Sequence, residues 1–168
     1  MNRMKAKIFG AALAGLLLVL PAASAQSFPD LDLEGRDGSS VKISQLRGNV
    51  VFVNLWATWC GPCRMELPLL QDLYNKYSDR NFVVLTVNVD SDRSRVGPFL
   101  KAHNLTLPVY FADPYAVAML TSRGIPTSFI LTPDGSIEKM FIGFDPNIEK
   151  DWIAHIDKYL KKKRAVKS

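Results

Sequence analysis

The chain has 168 residues, 48% apolar, 22% charged and 10% aromatic, with a formal net charge of +5. That is an ordinary composition for one globular domain; it excludes collagen-like and low-complexity classes, and two cysteines are too few for a disulfide scaffold or a four-ligand structural zinc shell. The positive charge sits at the ends, in Arg3, Lys5 and Lys7 and in the acid-free tail 158–168 (Lys158, Lys161, Lys162, Lys163, Arg164, Lys167), so the body between is mildly acidic and nucleic-acid binding is not expected.

Residues 1–25 read as a secretory signal peptide. The three cations precede an apolar stretch from Ile8 to Leu20, then Pro21 and the small-residue run Ala22-Ala23-Ser24-Ala25. The apolar stretch is shorter than the roughly 20 residues a membrane span needs, so cleavage after Ala25 is expected, with an uncleaved anchor as the alternative. Export places residues 26–168, the expected single domain, in an oxidising compartment.

Phe28 to Gly48 is polar and turn-rich around the β-prone Val41-Lys42-Ile43, and predicts an N-terminal β-hairpin. Val50 to Leu55 is an unbroken β-type run that suits a strand buried on both faces. A helix is predicted after Cys60, with Met65, Leu67, Leu69, Leu70, Leu73 and Tyr77 as apolar positions and a kink at Pro68. Further strands are expected at Phe82 to Val89 and Leu107 to Phe111. A helix from Pro98 to His103 should separate them, and another, capped by Asp113-Pro114, should run to Leu120. Thr127 to Leu131 and Ile137 to Gly143 flank an Asp134-Gly135 turn, as in a hairpin. A last helix should start with Asp145 as N-cap and bury Ile148, Trp152, Ile153, Ile156 and Leu160. The order predicts an α/β fold with an open central sheet covered by helices.

The chemistry is concentrated in Trp59-Cys60-Gly61-Pro62-Cys63, between a buried strand and a helix start. Free N–H groups and the positive dipole end of a helix stabilise an anion, so a cysteine there ionises readily, and thiolate is the nucleophile of disulfide exchange. Cys63, inside the first turn, is near enough to displace a substrate from a mixed disulfide on Cys60. Pro62 is tolerated because first-turn N–H groups lack helical partners. A Cu(I) metallochaperone is the alternative for two thiols, but only His103 and His155 remain as nitrogen ligands, each isolated in sequence.

The run Phe52-Val53-Asn54-Leu55-Trp56-Ala57-Thr58 followed by the motif and Arg64-Met65-Glu66-Leu67-Pro68 resembles the thioredoxin-like proteins, and more narrowly the exported TlpA/ResA type of thiol-disulfide reductase. Gly124-Ile125-Pro126-Thr127 is similar to the loop that carries a cis-proline facing the cysteines in that fold. The resemblance spans nearly all of 26–168, with Phe28 to Gly48 similar to the extra β-hairpin and Asn88 to Ser122 to the inserted helix/strand segment.

The resemblance implies a thioredoxin-like fold, with a central mixed β-sheet flanked by helices. It also implies Cys60 as exposed attacking thiol, Cys63 as buried resolving thiol, and Pro126 and Ile125 in the loop where substrate docks. Trp59, Gly61 and Pro62 would shape the surface beside Cys60, and Trp56 would pack beneath. Thioredoxins proper carry a buried aspartate where this chain has Asn54, which cannot titrate; Glu66 then resembles the acidic proton acceptor, though a first-turn glutamate also simply suits the helix dipole. The expected partners are protein disulfide substrates, such as cytochrome c haem-site cysteines or an oxidase subunit, and a membrane-bound electron donor. The chain is expected to be a monomer needing no cofactor or metal. A disulfide oxidase or isomerase is the rival within redox chemistry. The basic tail either touches anionic membrane or simply complements a helix C-terminus.

Overall fold

The computed structural model describes residues 26–77 and 79–165, with side chains as far as residue 160; the expected signal peptide, 1–25, and the end of the basic tail lie outside the described residues. In chain order the elements are β1 (Asp32–Gly35), β2 (Ser40–Lys42), β3 (Val50–Trp56), α1 (Gly61–Tyr77), β4 (Phe82–Asn88), α2 (Val96–Ala102), β5 (Val109–Phe111), α3 (Pro114–Leu120), β6 (Thr127–Leu131), β7 (Ile137–Ile142) and α4 (Ile148–Ala165). The strands form one seven-stranded sheet in the order β2-β1-β5-β4-β3-β6-β7. β3 pairs in parallel with β4 and antiparallel with β6, and β4 pairs in parallel with β5, so the sheet is mixed and β3 lies inside it. This is a thioredoxin-like fold.

The alternation of side chains along β3 builds two cores. Phe52 and Trp56 face Leu67 and Leu70 of α1, Phe99 of α2, and Trp152 and Ile156 of α4. Val51, Val53 and Leu55 face the other way, onto Phe28, Leu33 and Ile43 of the N-terminal segment together with Phe129 and Leu131. The expected hairpin is present as β1 and β2, and it joins the sheet by pairing β1 with β5, so the inserted segment supplies the hairpin's docking edge. Every residue of β3 is buried, as its unbroken β-type run leads one to expect; Asn54 is the one polar side chain in it.

Several boundaries differ from expectation for local reasons. Asp145 does not cap α4 directly: its Oδ1 accepts the Asn147 N–H (2.7 Å), closing a separate turn, and the helix begins at Ile148. β5 starts at Val109 because Pro108 has no N–H to give a ladder; its carbonyl instead accepts the Thr86 hydroxyl at 2.6 Å. α2 starts at Val96 and places Pro98 in its first turn. Met65, expected in the apolar stripe of α1, is 55% exposed. At 100° per residue it lies about 200° from both Cys63 and Leu67, which belong to the buried face. α1 continues through Pro68, where a kink was expected, without breaking.

Candidate active site

β3 delivers its chain to the site at Trp56, and the link 57–60 turns it into α1. The turn is fixed from two sides. Asp90, just beyond β4, accepts both the Thr58 N–H (3.0 Å) and the Thr58 hydroxyl (3.1 Å), and Arg64 Nε donates to the Thr58 carbonyl (2.8 Å). Asn88 completes the support by donating to Asp90 at 2.9 Å. Cys60 therefore stands immediately before α1. It is joined to Cys63 in a disulfide with Cα atoms 5.3 Å apart, and the Cys63 N–H donates to Cys60 Sγ at 3.2 Å. A first-turn backbone donor aimed at Cys60 sulfur is the arrangement that favours negative charge on that atom.

Cys60, expected as an exposed thiol, is only 5% exposed in this disulfide form, against 1% for Cys63. The loop before β6 covers it: Cys60 Sγ lies 3.7 Å from the carbonyl oxygen of Ile125. In that loop the Ile125–Pro126 peptide bond is cis and Gly124 has φ +97°, a conformation that side chains disfavour. The Thr127 hydroxyl closes the loop onto the Gly124 carbonyl (2.6 Å), and the Gly143 N–H donates to the Pro126 carbonyl (2.8 Å). Pro126 itself is buried, whereas Ile125 is half-buried and Gly61 and Pro62 are exposed. Trp59 is 60% exposed beside the disulfide, while Trp56 is buried below it against Phe99, ring centroids 5.4 Å apart.

Glu66 is not a surface glutamate. It lies one turn after Cys63 on the inner face of α1 and is 1% exposed. Asn54 Nδ2 donates to its Oε2 (3.1 Å) and the Ser128 hydroxyl donates to its Oε1 (3.2 Å). Burial pushes the Glu66 carboxyl up to about 7 from an ordinary 4.5, against these two hydrogen bonds, which pull it down. A buried carboxyl that titrates near neutrality within a turn of a redox cysteine is suited to proton exchange with it. Ser128 was not legible as a site residue from sequence. Its one signal was a second hydroxyl, after Thr127, at the start of the otherwise apolar β6, and the structure places it in register opposite Asn54 of β3.

The histidines stand elsewhere. His103 Nδ1 is 2.9 Å from the Phe99 carbonyl and its ring stacks on Phe99, while His155 Nδ1 is 3.1 Å from Glu138 Oε1. Among the described residues, no group of three His, Cys, Asp or Glu side chains could hold a metal ion. No described helix is long and apolar enough to cross a membrane.

Residues 23–155 match the model of the Redoxin family. The chain belongs to that family. The chain is similar to the thiol-disulfide oxidoreductase ResA of Oceanobacillus iheyensis, 37% identical over 68% of this chain, and to that of Bacillus subtilis, 29% identical over 81% of it. The matches span 62% and 75% of those proteins' lengths. A solved structure assigned as a thiol:disulfide interchange protein DsbE from Chlorobium tepidum superposes with TM-score 0.73 at 33% identity, covering 81% of this chain and 96% of that one. A second thiol:disulfide interchange protein of the thioredoxin family from Chlorobium tepidum gives 0.71 at 25% identity, over 83% and 99%. The present chain is thus a thioredoxin-like Redoxin of the ResA type, an oxidoreductase whose Cys-x-x-Cys pair is Cys60 and Cys63.

Proposed function

We propose that this Redoxin is an exported reductant of protein disulfides, working as a monomer outside the cytoplasm. Residues 1–25 direct export with cleavage after Ala25, and 26–168 are the working domain. The reaction begins with Cys60 thiolate attacking one sulfur of a client disulfide. A Cys60–client bond forms, the client S–S bond breaks, and the first client thiolate leaves. Cys63 then gives its proton to Glu66 and attacks Cys60 Sγ, which forms the Cys60–Cys63 disulfide and releases the second client thiolate. The proton held by Glu66 leaves toward the departing thiolate. Two electrons pass from the dithiol to the client, and a membrane-bound donor of the same two electrons restores the dithiol. The Ile125–Pro126 loop, Trp59, Gly61 and Pro62 form the surface on which client backbone rests. Cysteines of an apocytochrome c or of an oxidase subunit are suitable clients, because both need free thiols in an oxidising compartment.

The observation that carries this reading is the conjunction of the Cys60–Cys63 pair at the start of α1 with the buried Glu66 one turn on. The test is covalent trapping. A Cys63→Ser variant accumulates a mixed disulfide with an unfolded disulfide-containing protein, and a Cys60→Ser variant forms none. Adducts on Cys63 in the Cys60→Ser variant, with none on Cys60, would reverse the roles.

A further inference from the structure

We infer that Asn54 and Ser128 are positioning residues that hold Glu66 in a form able to accept a proton. The inference rests on the reading of Glu66 as the acceptor and adds the residues that make that role workable. Asn54 spends both amide hydrogens in one direction, one on Glu66 Oε2 at 3.1 Å and one on Ser128 Oγ at 3.0 Å. Ser128, its acceptor side occupied by Asn54, turns its own hydrogen onto Glu66 Oε1 at 3.2 Å. The relay ends with a donor on each carboxylate oxygen.

This orientation leaves Asn54 Oδ1 buried without a hydrogen-bond partner. An unpaired buried acceptor is unfavourable, and rotating the amide by half a turn would remove that defect only by pointing Oδ1 at Glu66 and Ser128. That alternative repels a carboxylate. The observed sense is therefore the one matched to negative charge on Glu66. Burial alone would keep the carboxyl protonated, and a protonated acid has no site for the Cys63 proton.

The groups facing Glu66 carry no competing charge. β3 presents Asn54, β6 presents Ser128, and Cys63 on α1 is tied in the disulfide; no charged neighbour contributes to the shift of Glu66. The two donors are thus the levers that oppose burial. Asn54 and Ser128 are direct register partners across β3 and β6, so the ladder itself fixes their spacing.

The experiment is a titration of Glu66 in the full-length oxidised protein carrying carboxyl-13C glutamate, followed by NMR and assigned by the signal lost in Glu66→Gln. Ser128→Ala raises the Glu66 midpoint by about one pH unit, the size of one lost hydrogen bond to a charged group, and Ser128→Thr, which keeps the hydroxyl, restores it. Asn54→Asp, nearly isosteric, removes the donors and adds a like charge, raising the midpoint further. A Ser128→Ala or Asn54→Asp midpoint within about 0.3 unit of the parent would overturn the inference, whichever of the two is the better folded. Its failure is separable from that of the parent reading. Thiol exchange unchanged by Glu66→Gln would remove Glu66 from the reaction while leaving the midpoint shifts in place.

Discussion

Replacing Glu66 with glutamine changes the pH dependence of stability in a way that follows directly from its burial. The folded carboxyl titrates near 7, whereas an unfolded one titrates near 4.5. Between those values the native state keeps a proton that the unfolded chain releases, so stability falls as pH rises through the window and levels off above about 7. A difference of about 2.5 pH units corresponds to roughly 3 kcal/mol, a sizeable part of the roughly 5–15 kcal/mol that stabilises a typical domain. The variant lacks this dependence. Its own amide meets the donors of Asn54 and Ser128, which adds an offset that does not change with pH. Measured by urea unfolding of the oxidised proteins from pH 4.5 to 8.5, the stability difference moves by roughly 3 kcal/mol in favour of Glu66→Gln as pH rises. Other titrating groups are common to both proteins and cancel. A difference that stays constant across that range would refute the reasoning.

Pulsed alkylation of the reduced protein near neutral pH labels Cys60 before Cys63, because only Cys60 stands before the helix start; the opposite order would contradict the assignment. Trp59→Ala leaves stability within about 0.5 kcal/mol and slows reduction of protein disulfides, since Trp59 is exposed beside the motif, whereas Trp56→Ala, deep in the core, costs about 3–5 kcal/mol. Unfolding curves and exchange rates on the two variants separate these outcomes. Glu138 binds β7 to α4. Burial raises its carboxyl, but hydrogen bonds from Lys158, Tyr159 and His155 outweigh that and bring it down to about 2. Glu138→Gln is therefore less stable than the parent above about pH 4.5, and the gap narrows as pH falls toward 2.

Much of the fold was legible because local and tertiary signals agree. The β-type run before Trp59-Cys60 suited an interior strand, and the Ile125–Pro126 loop, distant in sequence from the cysteines, brings the Ile125 carbonyl to Cys60 because β6 pairs directly with β3. The places where sequence and structure part are those decided by packing. Met65 is apolar but falls on the outer face of α1, and Glu66 is charged yet falls on the inner face. A helical period locates a stripe but does not say which polar residue the stripe will bury, and Glu66 is tolerated only because β3 and β6 bring donors to it. Ser128 was hidden for the same reason: its hydrogen bond to Glu66 depends on a register between strands far apart in the chain. An exposed Cys60 was what the resemblance implied, and the loop that covers it, carried by Ile125, comes from a distant part of the chain.

The direction of electron flow is tested most directly by the reduction potential of the Cys60–Cys63 couple. An oxidase draws its driving force from over-stabilising the attacking thiolate, often with a cation between its cysteines, whereas this chain has Gly61 and Pro62 there, neither able to carry charge. Equilibration of the purified protein with glutathione or dithiothreitol redox buffers, followed through Trp59 fluorescence or thiol alkylation, gives the value. The account predicts a potential nearer the roughly −270 mV of thioredoxin than the roughly −120 mV of a strong periplasmic oxidant. A value above about −160 mV would contradict it and make the protein a donor of disulfides.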